Sequence, residues 1–117
     1  MNPSLTVFLV EDDTDLQLGC VQALQLADIP VRAFGSVEAV LPHLSPGMAG
    51  VVVTDMRLPG ADGLSLIAEA QDLDPDLPVI MITGHGDVNL AVQAMRSGAY
   101  DFIPKPFSPE QLVEVVQ

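Results

Sequence analysis

Five short apolar runs, each followed by a segment with helical spacing, predict an α/β protein: a three-layer sandwich whose five-stranded parallel sheet has strand order 2-1-3-4-5. Two runs carry most of that prediction. Val51-Val52-Val53-Thr54-Asp55, entered through Gly50 and left through Pro59-Gly60, has the β-branched character of a central parallel strand covered on both faces. Leu5-Thr6-Val7-Phe8-Leu9-Val10 is similar, and both runs end in acid, Asp55 in one and Glu11-Asp12-Asp13 in the other. In that strand order the first and third strands are neighbours where the order reverses. Glu11, Asp12 and Asp55 then meet at the carboxyl edge of the sheet, where open parallel sheets bind their ligands.

The remaining elements follow along the chain. Thr14 and Asp15 supply a helix cap, and Leu16, Cys20, Ala23, Leu24 and Ala27 recur at the spacing of one helix face before Asp28 ends it. Ile29 to Phe34 reads as a short second strand, with Pro30 at its start suiting a sheet edge. Ser36 caps a helix from Val37 to about Leu44, which Pro42 must shorten or kink. Ser45-Pro46-Gly47 turns into the Asp55 strand. Leu64, Ile67, Ala68 and Gln71 mark the next helix, which gives out in the polar, exposed run Asp72 to Asp76. Pro78 to Ile82 is the fourth strand, and Asp87 caps a helix whose core face is Val88, Ala91, Val92 and Met95, stopped by Gly98. Ala99 to Ile103 is the fifth strand. Ser108-Pro109-Glu110-Gln111 is a capping box with proline at the first helical position.

A chain of 117 residues with 49% apolar content makes one compact domain with a real core. No apolar run reaches the roughly 18 residues of a membrane span, and Met1-Asn2-Pro3-Ser4 lacks the regions of a signal peptide. A cytoplasmic protein without membrane contact is expected. The single cysteine, Cys20, excludes an internal disulfide and a cysteine-rich metal cage, and reads as core filler. Sixteen acidic residues against four basic ones, a net charge of −12, repel phosphate backbones and anionic membranes, which argues against direct nucleic acid binding. The only lysine, Lys105, sits in Ile103-Pro104-Lys105-Pro106-Phe107 at the end of the fifth strand. A solubilising lysine would have company elsewhere, so Lys105 reads as placed for a role.

Carboxylates gathered in one concavity repel one another: two unit charges about 4 Å apart at an effective dielectric near 20 cost roughly 4 kcal/mol. Either protons are taken up or a divalent cation binds. Oxygen-only donors, without a cysteine or a convergent histidine pair, favour Mg²⁺, which keeps several waters and so leaves room for a phosphoryl group. Thr83, at the end of the fourth strand, and Lys105 bring a hydroxyl and an ammonium to the same edge. A carboxylate beside Mg²⁺ is a competent phosphoryl acceptor, because the metal screens the approach of two anions while hydroxyl and ammonium take up charge on the transferred group.

Glu11-Asp12, Asp55 with Pro59 and Gly63, Thr83-Gly84 and Lys105-Pro106 together resemble the signature of response-regulator receiver domains of bacterial two-component systems, over essentially the whole chain. The resemblance implies the flavodoxin-like, CheY-like arrangement of the predicted sheet, and a phosphoacceptor rather than an enzyme acting on other molecules. Asp55 would accept a phosphoryl group from a sensor histidine kinase. Asp12 would ligate Mg²⁺ directly and Glu11 mainly through a bound water, with Asp55 and the backbone carbonyl of Arg57 completing the protein ligands. Thr83 and Lys105 would hold the phosphoryl oxygens. Arg57 and His85, two positions after the acceptor and the threonine, would tune phosphoryl lifetime. Phe102 would be the switch aromatic coupled to Thr83. The face made by the fourth helix, fifth strand and fifth helix, with Arg96, Tyr100 and Asp101, would carry partner contacts or those of a phosphorylation-dependent homodimer. Glu11 is a longer arm than the Asp of many relatives, which changes water positions without abolishing a metal site.

Within the family, Ile82 to Asp87 with Ala91 to Met95 and Gly98 to Ile103 is similar to the receivers of C4-dicarboxylate transport regulators, transcription activators that work with sigma-54 polymerase. Receivers joined to nodulation and nitrogen-fixation type DNA-binding outputs share the Thr83 to Asp87 segment. The unfinished Leu112, Val113, Val116 pattern running to Gln117 predicts a receiver over residues 1–117 cut within its last helix, with a C-terminal output domain lying outside the sequence. Other classes fit less well. A dehalogenase-like phosphatase would need a second Asp where Arg57 stands, and Glu11-Asp12-Asp13 would repel a flavin phosphate. A phosphate-independent interaction module would have no need of the whole site set.

Overall fold

The computed structural model describes residues 5–56, 58, 63–84, 88–105 and 107–116. Its strands are β1 (Thr6–Val10), β2 (Val31–Phe34), β3 (Gly50–Asp55), β4 (Val79–Thr83) and β5 (Asp101–Pro104). The helices are α1 (Thr14–Leu26), α2 (Val37–Val40), α3 (Gly63–Leu73), α4 (Val88–Arg96) and α5 (Pro109–Val116). Every pairing is parallel and the order is β2-β1-β3-β4-β5, as the alternating pattern predicts. Register pairs Val10 with Thr54, Asp55 with Ile82, and Thr83 with Pro104, so β1, β3, β4 and β5 end close together at one edge.

Alternating side chains divide the core into two layers, one on each face of the sheet. Phe8, Val10, Val52 and Met81 pack with Val37 and Leu66 on one side, against α2 and α3. Val7, Leu9, Val53 and Ile82 pack with Leu24 and Leu112 on the other, against α1 and α5. All of β3 and β4 is buried, which is why these strands read as unbroken apolar runs. β2 is an edge strand and only partly covered; the carbonyl of Pro30, which has no N–H to offer, accepts from Val7 N at 2.8 Å.

Local signals explain most boundaries. α2 ends at Val40 and continues as a 3₁₀ turn, Leu41–His43, with Pro42 inside it. Asp28, at φ 61°, and Gly98, at φ 112°, follow the ends of α1 and α4 in the left-handed region. The capping box before α5 is reciprocal: Ser108 N donates to Gln111 Oε1 at 2.8 Å, and Gln111 N to Ser108 Oγ at 3.2 Å. Cys20 is core, and burial pushes its thiol up to about 11, so it is an inert filler.

Three local expectations are corrected. The cap of α1 is Asp13 rather than Thr14 or Asp15: its Oδ1 accepts from Asp15 N and Leu16 N at 3.0 and 3.1 Å. The buried face of α3 is Leu66, Ile67 and Ala70, while Ala68 is exposed, because the helix starts at Gly63 and presents that row to the sheet. In α4 the small residues Ala91 and Ala94 face inward, leaving Val92 and Met95 46% and 41% exposed. The Asp87 cap, the Val88 side chain, Pro59 and Pro106 lie outside the described residues.

Candidate functional site

Each central strand delivers one polar group to the carboxyl edge. Beyond β1, Glu11 is buried: its N–H donates to Phe34 O at 2.9 Å, and its Oε2 accepts from Asp13 N at 3.1 Å. Glu11 Oε1 is buried with no hydrogen-bond partner among the described residues. Burial pushes the Glu11 carboxyl up to about 7; the neighbouring Asp55 adds to the shift, while the Asp13 N–H and Lys105 oppose it. Asp12 is exposed at the rim. Asp55, the last residue of β3, is buried, and one oxygen from each of Glu11, Asp12 and Asp55 lies within 4.8 Å of the others.

The opposite wall carries the positive charge. Lys105 Nζ lies 2.8 Å from Asp55 Oδ2, and the Lys105 backbone N–H donates to Thr83 O at 2.7 Å, which ties the end of β5 to the end of β4. Partial burial works against the ammonium, but its bond to Asp55 and the field of Glu11 and Asp13 outweigh that, so its pKa is raised. Thr83 is buried at the end of β4. Gly63 closes the floor: a Cβ there would meet Met81 Cε at 2.5 Å and the Asp55 carbonyl at 2.8 Å, so only glycine lets α3 start this close to β3.

The donor set fits Mg²⁺. Among the described residues it consists of carboxylate oxygens only, it gathers more negative charge than Lys105 balances, and its buried Oε1 lacks the partner that a metal-bound water supplies. The structure thus gathers Glu11, Asp12, Asp55 and Lys105, with Thr83 on the adjoining strand end. Phe102 stands apart from them on β5, 38% exposed. Arg57 and His85 lie outside the described residues. Two contributors were missed from sequence. Asp13 orients Glu11 through its N–H while capping α1, and an Asp three residues before Leu16 is a cap signal that could have found it. Gln17 reaches back to the Glu11 carbonyl, a contact that no motif marks.

Residues 7–117 match the response regulator receiver domain family. The chain belongs to that family. Receiver domains bind Mg²⁺ at an acidic pocket, and Glu11, Asp12 and Asp55 form such a cluster in this one. This receiver is 49% identical over 114 residues to the C4-dicarboxylate transport transcriptional regulatory protein DctD of Rhizobium meliloti (strain 1021), covering 97% of this chain and 25% of that protein. Among solved structures, the crystal structure of FixJ-N superposes with a TM-score of 0.86 at 36% identity, covering 99% of this chain and 92% of that one. NtrX from Brucella abortus superposes with a TM-score of 0.88 at 34% identity, covering 97% of this chain and 26% of that one. The receiver therefore spans about a quarter of the length of the dicarboxylate regulator and of NtrX. Among the described residues no helix is long and apolar enough to cross a membrane.

Proposed function

We propose that this receiver is a phosphoacceptor in which Asp55 takes a phosphoryl group from a sensor histidine kinase in a Mg²⁺-dependent reaction. The observation that carries the reading is the pairing of Asp55 with Lys105 beside two further carboxylates, one of them holding a buried oxygen with no partner among the described residues. An Asp55 carboxylate oxygen forms a bond to phosphorus as the bond from phosphorus to the donor histidine nitrogen breaks, and that nitrogen keeps the electron pair. Bound Mg²⁺ supplies charge neutralisation between the carboxylates and the incoming phosphoryl group. Asp12 and Asp55 would hold the ion, with Glu11 acting through a water and the Arg57 carbonyl as a further ligand. Lys105 passes from the carboxylate to a phosphoryl oxygen, and the Thr83 hydroxyl donates to another. Arg57 and His85 govern access of the water that later hydrolyses the acyl phosphate. The chemistry is self-catalysed transfer and hydrolysis, with no other substrate turned over.

The switched surface is the face made by α4, β5 and α5, where Phe102 follows the position of Thr83 and alters self-association. In a longer cytoplasmic regulator this domain controls a C-terminal output domain, in keeping with the length of the relatives it matches. The 49% identity to the dicarboxylate regulator favours a sigma-54-dependent output acting on C4-dicarboxylate transport genes. A FixJ-type DNA-binding output is the second reading, favoured by the likeness to FixJ-N. Intact mass after incubation with acetyl phosphate and Mg²⁺ tests the core of the proposal: one phosphoryl increment is expected, absent in Asp55→Asn and in chelator. A folded, Mg²⁺-binding protein that gains no mass from acetyl phosphate or from any histidine kinase would instead be a phosphate-independent interaction module.

A further inference from the structure

We propose that Gln17 is a positioning residue that sets the affinity of the carboxylate site for Mg²⁺, an inference that rests on the phosphoacceptor reading above. Glu11 has four polar atoms, and three are tied down. Its N–H donates to Phe34 O at 2.9 Å, its Oε2 accepts from Asp13 N at 3.1 Å, and its carbonyl oxygen accepts from Gln17 Nε2 at 2.9 Å. The fourth, Oε1, has no hydrogen-bond partner among the described residues. The same Gln17 nitrogen also donates to Phe34 O at 3.2 Å. One primary amide, with two hydrogens on one nitrogen, therefore spans the ends of β1 and β2 from the first turns of α1. An amide oxygen in its place would face two carbonyl oxygens, so the nitrogen must point there.

The Glu11 carbonyl belongs to the planar peptide that joins Glu11 to Asp12. Holding that carbonyl fixes the plane, and with it the direction in which Asp12 leaves the strand. Gln17 thus acts on both carboxylates of the β1–α1 loop at once, through the backbone between them. Released from the clamp, the peptide rotates and the two carboxylates spread relative to Asp55. Metal binding must then order them, which weakens affinity.

The test is calorimetric titration of the whole domain, freed of metal by chelator and dialysis, with MgCl₂. Gln17→Met keeps side-chain length and removes both donors, and roughly tenfold weaker Mg²⁺ binding is expected. Gln17→Ala, which preserves the helix propensity of α1, must show the same loss. Gln71→Met is the control for a structural role: Gln71 Nε2 donates to Gly98 O at 3.2 Å, a clamp of like chemistry away from the carboxylates, and its loss lowers melting temperature without moving Mg²⁺ affinity. If both Gln17 variants bind Mg²⁺ like a metal-binding wild type, the inference is overturned and the phosphoacceptor reading stands. If the wild type binds no Mg²⁺, that reading falls and takes the inference with it.

Discussion

Lys105 Nζ and Asp55 Oδ2 are 2.8 Å apart, so the acid that ends β3 is already paired with the ammonium that follows β5. On the proposed reading the lysine and a metal ion would draw on the same carboxylate. Lys105→Met is therefore expected to tighten Mg²⁺ binding, by about 1 kcal/mol after solvent screening of a partly exposed cation, or roughly fivefold. Calorimetry at matched ionic strength measures this. Equal or weaker binding in the variant would mean that the ion pair organises the site rather than competing for it.

Glu11 should make metal-free stability and Mg²⁺ affinity depend on pH in opposite directions. Its carboxyl rises from 4.5 to about 7 on folding, by burial first and then by Asp55. Between those values the folded state holds more protons than the unfolded chain, so this group's contribution to metal-free stability is full below the lower value and is lost as pH rises through the upper one. A difference of that size is worth at most about 3 kcal/mol. Denaturant titration in chelator from pH 4.5 to 8 should show the decline in wild type and a flatter profile in Glu11→Gln. Mg²⁺ bound at this cluster would expel the proton, so affinity should rise with pH across the same window, by no more than about tenfold per unit, and level off above it. A pH-independent Mg²⁺ affinity would show that Glu11 is ionised throughout.

Two glycines should respond to alanine with opposite signs. Gly63 sits where a Cβ meets the Asp55 carbonyl at 2.8 Å and Met81 Cε at 2.5 Å; the methyl can move but the backbone cannot without disturbing Asp55. Gly63→Ala should cost about 1–3 kcal/mol. Gly19, inside α1, has nothing within 4 Å of its Cβ position, and Gly19→Ala should stabilise by about 0.5–1 kcal/mol through backbone entropy. Thermal melts of the two variants decide it; equal shifts would remove the steric account of Gly63.

The fold was legible because its information is local and repeated. Runs such as Val51 to Val53, short, β-branched and bounded by turn residues, suit central strands, and once the order is 2-1-3-4-5 the strand-end rule brings Asp55 to Glu11. Helix faces were less legible. Each of α3 and α4 has one polar row, Ser65, Glu69 and Asp72 in one and Asn89, Gln93 and Arg96 in the other, but the apolar remainder is wide, and the choice between Ala94 and Met95 as the inward residue depends on how closely the helix approaches the sheet, which no periodicity encodes. The supporting contacts were least legible of all. Gln17 binds two carbonyls, and since every residue has a carbonyl, its side chain carries no signal of which ones it will reach.

The misread face of α4 leads to the last expectation. Val92 and Met95 on α4 and Phe102 on β5 are exposed, and Tyr100, 67% exposed, stands just before β5 on the side of α5, beside Val115 and Val116. Exposed large apolar side chains on an otherwise acidic domain favour burial against a partner. Phe102 lies on the strand that leads to Lys105, and Lys105 is joined to Thr83 through its backbone and to Asp55 through its side chain, so a change at Asp55 reaches this face through one short segment. Sedimentation with and without a phosphate mimic and Mg²⁺ should therefore show a change in self-association of at least tenfold, about 1.4 kcal/mol. Tyr100→Asp, which sets a charge between β5 and α5 without touching the acidic edge, should abolish that change while leaving Mg²⁺ affinity intact. An unchanged mass across a wide concentration range in wild type would assign the face to another partner, and loss of Mg²⁺ binding in Tyr100→Asp would show that the face and the site are not separable.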